Sequence, residues 1–285
     1  MANIRLIKRR IKSAKNIAQI TKAMELVAAA KMKKAQAAAL AGKLYAAKIY
    51  EMVTRLAART DFRNHALLMT PRPAGKRLVV LLSTNKGLCG GLNTSLFRFF
   101  MKQYPTGAKY EVVSIGKKGA DFVTRLGHGV RADFSDTVPW ERVVPALVEY
   151  ITEQFLSGEF DAVDLVSNEF LSVSKQVPHV KTVLPLTISG EAAASDDEGT
   201  YEFLIEPNVE EVFSALLPHY VENQIRDAVL QGEAAEHSAR MIAMHNATDN
   251  ANSLQDDLTL QYNKARQEKI TYEITDMVTA RLAVE

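Results

Sequence analysis

All nine prolines of this chain fall between Pro71 and Pro218, leaving about seventy residues at the start and over sixty at the end without one. Proline lacks the amide hydrogen and crowds the carbonyl one turn back, so it breaks helices more strongly than any other residue. The distribution divides the 285 residues into two outer segments free to form long uninterrupted helices and a middle that must be built differently.

The first segment, from about residue 4 to 56, carries apolar or small residues at Ile4, Ile7, Ile11, Ala14, Ile17, Thr21, Met24, Ala28, Met32, Ala35 and Ala39. Steps of three and four are the seam of a coiled coil, not the period of a strand. Residues 28 to 47 are rich in alanine, the best helix former, which also lets two helix axes approach closely. Gly42 is the segment's only glycine and costs about 1 kcal/mol relative to alanine. The last segment, from residue 208 or 219 to 284, continues the pattern at Val221, Ile225, Ala228, Gly232, Ala235, Ala239 and Ile242. As one helix it would be about 100 Å long, against a radius of gyration of about 19 Å for a compact domain of this chain. Such a helix is expected to project and to need a partner. The first segment is the obvious one, and an antiparallel pairing follows from the globular middle between them. The stretch 245–257 places polar residues where this seam wants apolar ones, predicting a wet segment or contact with a surrounding protein.

The middle changes character. Residues 77–83, 110–115, 161–170 and 177–186 read as strands, and 92–104, 117–126 and 140–156 as helices. Alternation of this kind predicts an α/β layer with a mostly parallel, Rossmann-like sheet. The small, acidic run 189–200 reads as a surface loop. The predicted division is a coiled-coil helix over 1–60, an α/β domain over 75–206 and a second coiled-coil helix over 208–285.

Several function classes fall away. No apolar run approaches the ~20 residues of a membrane span, and the basic start leads into no apolar stretch of a secretory signal. The lone Cys89 excludes an internal disulfide and a multi-cysteine zinc site and fits a reducing compartment. Residues 1–60 hold 14 Lys/Arg against 2 acids, and residues 219–285 hold 11 acids against 6 bases. This asymmetry suits two ends lying side by side with their charges partly offset. The loop 83–93 follows a strand and opens a helix, where amides could cradle phosphate. It lacks both the Walker A lysine pair and the dinucleotide glycine spacing, so a tight strand-to-helix turn explains it better. His237 and His245 lack metal-binding spacing, and no acid or histidine is placed to activate Cys89. Two alternatives stay open on residues alone: a nucleotide-binding α/β enzyme using loop 85–93, and a nucleic-acid binder using Lys8, Arg9, Arg10, Lys12 and Lys15.

Three motifs in order span nearly the whole chain: Ile11-Lys12-Ser13 leading through Gln19-Ile20-Thr21-Lys22-Ala23-Met24-Glu25-Leu26-Val27-Ala28 to Lys31-Met32; the loop Thr84 to Asn93; and Ala239-Arg240-Met241, Ala247-Thr248-Asp249-Asn250, Asn263-Lys264-Ala265-Arg266-Gln267 and Ile270-Thr271-Tyr272-Glu273-Ile274. Together they resemble the gamma subunit of F-type ATP synthases. The resemblance implies an antiparallel coiled coil above an α/β foot, no catalytic residue, cofactor or metal in this chain, and no nucleic-acid role. It implies a rotor inside three alpha and three beta subunits, standing with an epsilon-type subunit on the membrane c-ring. The setting it implies is peripheral, at the cytoplasmic face of a bacterial inner membrane. By motif match it implies beta-subunit contacts at Met24, Lys86, Cys89, Arg240, Arg266, Gln267, Thr271 and Glu273, and ring contacts at Phe203, Ile205 and Glu206. The sequence departs from the family near its end, where Val278-Thr279-Ala280-Arg281 replaces a small Gly-Ala-rich stretch. It also lacks the cysteine pair of redox-regulated plastid members.

Overall fold

The computed structural model describes residues 4–59, 66–68, 75–105, 107–136, 139–186 and 205–282. The acidic run 189–200 and Phe203 lie outside the described residues. Two long helices bracket the chain, α1 (Ile4–Arg59) and α5 (Val209–Leu282). Between them come β1 (Arg77–Leu82), α2 (Leu92–Gln103), β2 (Tyr110–Ile115), α3 (Lys117–Arg125), β3 (Val130–Asp133), α4 (Val144–Leu156), β4 (Ala162–Ser172) and β5 (Lys175–Leu184). Short 3₁₀ turns occupy Ala66–Leu68 and Trp140–Arg142. Residues 1–29 with 240–285 form one compact unit, and residues 30–239 form the other.

The larger unit is organised on a five-stranded sheet in the order β3-β2-β1-β4-β5. β1 to β4 run parallel and β5 antiparallel. β1 is central, and Leu78 to Leu82 are all at most 2% exposed, as expected of a strand covered on both faces. Its even-numbered residues join Val113, Ile115, Val163 and Leu165 in a core completed by α4 and by Phe213, Leu217, Val221 and Ile225 of α5. Val79 and Leu81 face Leu96 and Phe100 of α2, Val123 of α3 and Val112. Each such fully buried side chain contributes about 1.5–3 kcal/mol. Asp164 is 2% exposed on β4, and its charge is balanced by Arg77 Nε (2.6 Å) and Nη2 (2.8 Å), with Tyr104 Oη (2.7 Å) and Thr182 Oγ1 (2.8 Å) also donating. Burial and then the neighbouring Asp164 push the Tyr104 phenol far up, so it stays a donor. Within this unit α1 and α5 run antiparallel: Tyr50 meets Tyr220 (ring centroids 6.0 Å apart), while Lys31 lies near Glu233.

In the smaller unit the two helices again pack antiparallel. Thr21 meets Thr248, and three residues earlier on α5 His245 meets Glu25. The buried line on α5 is Met244, Thr248, Ala251, Leu258 and Ala265, with Gln255 and Tyr262 half-buried between them. Two of the polar residues of 245–257, Thr248 and Gln255, therefore fall on the seam, while Asp249, Asn250, Asp256 and Asp257 face outward.

The structure corrects three readings and decides a fourth that was left open. The α1 seam steps from Ala14 through Ala18 to Thr21, and Ile17 is 51% exposed, because the small alanine permits the closer helix approach. Of the two starts read for the last helix, the structure has the earlier, at Val209, so Pro218 lies inside α5; buried Phe213, Leu217, Val221 and Ile225 on either side hold the helix through the lost hydrogen bond. The helix read over 140–156 is a 3₁₀ turn followed by α4, with Pro145 in the first helical turn, where its missing amide costs nothing. β3, four residues at the sheet edge, was not expected at all.

Candidate functional site

In loop 83–93 the turn is fixed by its own polar groups. Thr84 Oγ1 donates to the Lys86 carbonyl (2.8 Å) and accepts from Asn93 Nδ2 (2.7 Å). Asn85 Nδ2 donates to the Ser135 carbonyl (3.0 Å), while its Oδ1 accepts the Lys117 amide (2.9 Å) at the start of α3. The Thr84 carbonyl and Ser83 Oγ take the amides of Lys118 and Gly119. These donors at the head of α3 are thus used within the fold instead of facing a phosphate. Gly116 makes the approach possible: at φ +104°, a Cβ there would lie 2.3 Å from the Ser83 carbonyl oxygen.

The same loop holds Leu88 at φ +64° with 61% of its surface exposed. A left-handed conformation costs a side-chain-bearing residue about 1–2 kcal/mol, and an exposed apolar side chain recovers none of it within the chain. Lys86 is exposed beside it. Cys89 is 3% exposed, with Asn93 Nδ2 pointing to its sulfur at 3.5 Å. Of the two loop residues expected at a contact, the lysine is presented and the cysteine side chain is withdrawn; the apolar group that reaches out is Leu88, which the flanking Gly87, Gly90 and Gly91 could have signalled.

In the smaller unit Thr21 Oγ1 and Thr248 Oγ1 lie 2.7 Å apart, buried in the seam. Met24 is half-buried next to them. Lys22 Nζ lies 3.0 Å from Glu25, and that hydrogen bond holds the Glu25 carboxyl below its usual range. His245 lies 3.5 Å from both Glu25 and Asp249. The expected offset of charge between the chain ends is slight: among the described residues Arg5, Lys8, Arg9, Arg10, Lys12 and Lys15 make no ion pair. Arg240 is half-buried.

Ala265 is the last buried residue of α5 among those described. Beyond it Arg266, Gln267, Thr271 and Glu273 are all exposed, with Thr271 Oγ1 bonding back to the Gln267 carbonyl (3.0 Å) and Glu273 paired to Lys269 (3.3 Å). Ile270 (47%), Ile274 (54%), Met277 (67%) and Val278 (53%) add an exposed apolar line that the motif reading did not single out. Arg281, in the divergent tip, is exposed as well. Ile205 packs on the edge of the larger core and Glu206 is exposed. The candidate residues thus form separate surfaces, not one pocket. Among the described residues no cluster of three or more His, Cys, Asp or Glu could hold a metal, and no helix is long and apolar enough to cross a membrane.

The model of the ATP synthase family matches residues 3–284. The ATP synthase gamma chain of Opitutus terrae is 43% identical, the match covering 99% of both chains. That of Herpetosiphon aurantiacus is 40% identical over 100% of this chain and 99% of the relative. This chain belongs to the ATP synthase gamma-chain family. Among solved structures, a chain of the Euglena gracilis mitochondrial ATP synthase OSCP/F1/c-ring assembly superposes with a TM-score of 0.67 at 21% identity, covering 99% of this chain and 94% of that one. A chain of the Tetrahymena thermophila central stalk/c-ring gives 0.59 at 24% identity, covering 80% and 99%. Both share the fold of a mostly parallel sheet with long terminal helices. The chain is the central-stalk rotor subunit of an ATP synthase and is itself non-catalytic. The nucleotide-enzyme and nucleic-acid alternatives are not favoured.

Proposed function

We propose that this rotor acts on its surroundings through two surfaces, α5 beyond Ala265 and the loop carrying Lys86 and Leu88, with the helix pair of 1–60 and 208–285 as the rotor's arm and 75–206 as its foot. The observation that carries the reading is the run from Arg266 to Arg281, where every residue is exposed and apolar Ile270, Ile274 and Met277 have no partner helix among the described residues. A helix face of this kind is stabilised by an external wall. Arg266 and Gln267 engage a beta subunit there, and Thr271 and Glu273 extend the contact. Met24, Arg240 and the loop of Lys86 and Cys89 meet beta subunits elsewhere, Leu88 taking the place of the withdrawn thiol. Phe203, Ile205 and Glu206 meet the c-ring. An asymmetric rotor biases each beta subunit differently because it binds that subunit's alternative conformations unequally, and a partner shifts populations in no other way. The complex stands at the cytoplasmic face of a bacterial inner membrane.

The test is native mass spectrometry of the complex purified through this chain, with one copy expected beside three pairs of larger subunits. Replacing Arg266 and Gln267 together by alanine should lower complex yield or ATP turnover. Normal yield and rate in that variant would refute the assignment of those two residues.

A further inference from the structure

On the outer side of the larger unit, α4 and the beginning of α5 diverge and leave an open groove of about 700 Å³. Its apolar lining includes Val148, Leu156 and Pro218. Leu156 is 54% exposed although it stands one residue after buried Phe155, so the chain keeps a large apolar side chain in the groove instead of in the core. The wall is acidic. Glu149 and Glu153, one turn apart on α4, make no ion pair among the described residues, and Glu222 faces them from α5, already engaged by Arg226 at 2.5 Å. Between the glutamates, Thr152 Oγ1 is buried without a hydrogen-bond partner.

We infer that this groove is a docking site for a basic amphipathic segment of a partner protein, with an apolar side chain seated against Val148, Leu156 and Pro218 and lysine or arginine reaching Glu149 and Glu153. Cleft size and lining suit a helix laid along α4. Two unpaired carboxylates at one rim select for cations and against an acidic or purely acyl occupant. The groove belongs to the α/β unit alone, and the inference does not depend on how the rotor meets the beta subunits.

The probe is a fluorescent synthetic peptide of leucine and lysine in an amphipathic helical pattern, titrated against the full-length chain, with a leucine–glutamate peptide of the same pattern as control. Saturable binding of the lysine peptide alone is expected. It should weaken about tenfold or more in Glu149→Lys/Glu153→Lys, weaken in Leu156→Ala, and stay unchanged in Glu210→Lys, an exposed acid outside the groove. Leu156 is exposed enough that its truncation leaves the fold intact, as circular dichroism would verify. Equal binding of the two peptides, or full affinity in the charge-reversed variant, would overturn the proposal. So would a dimer of the free chain that Leu156→Ala abolishes, since the occupant would then be a second copy.

Discussion

Thr21 and Thr248 hydroxyls meet across the seam at 2.7 Å, one donating to the other, and the accepting one donates its own proton to a carbonyl of its helix, Ile17 at 2.9 Å or Met244 at 2.8 Å. Replacing either by valine strands the other hydroxyl's cross-helix partner and should cost about 1 kcal/mol. Replacing both should cost less than the two losses added, because nothing is then left unpaired. Urea denaturation of the two single variants and the double variant closes the cycle; strict additivity would mean that the hydroxyls do not interact. Glu233 presents the opposite situation. Burial first, and Glu141 second, push its carboxyl above the usual range, with the Trp140 backbone amide pulling the other way. Below the unfolded value of about 4.3 the group is protonated in both states and has no effect. As pH rises through the folded value the native state loses stability that the unfolded state does not. Glu233→Gln should therefore raise the denaturation midpoint at neutral pH and leave it unchanged near pH 4.

Two glycines show how differently one residue type acts within an element. Gly42 lies in α1 with open space where a Cβ would stand, so Gly42→Ala should stabilise by about 0.5–1 kcal/mol. Gly116→Ala would place a methyl against the Ser83 carbonyl at a positive φ and should lose more than about 2 kcal/mol. Chemical denaturation separates the two signs. The terminal helices were legible because their residues repeat a single period over many positions, and β1, β2 and β4 because each carries a short, mostly apolar run of the length of a buried strand. β3 was not, since four residues alternating between half-buried and exposed carry too little signal at an edge. Ile17 misled because hydrophobicity alone ranks it above Ala18, whereas helix contact is decided by side-chain size. At the loop the exposed lysine could be read from sequence, but the inward turn of Cys89 and the left-handed backbone at Leu88 accompany hydrogen bonds that tie Asn85 to Ser135 and Lys117, far off in sequence, and Asn93 to Thr84 and Cys89. The Asp164 network was equally hidden, because its partners come from three other elements.

For the molecule as a whole, protection should end where burial ends. Among the described residues nothing buries the helix after Ala265, and an unsupported helix end is marginal in water. Hydrogen exchange should be fast over residues 266–281 and slow along Met244 to Leu258; in the assembled complex the first stretch should slow as well. Equal exchange in both states would argue that no external wall covers it. The threonine pair carries a mechanical corollary. When a torque is applied to two antiparallel helices, they tend to glide past one another in opposite axial directions. A glide of one residue is about 1.5 Å, enough to pull apart oxygens that meet at 2.7 Å. A hydroxyl contact available at one register alone therefore adds about 1 kcal/mol of resistance to gliding and marks the axial register of the pair.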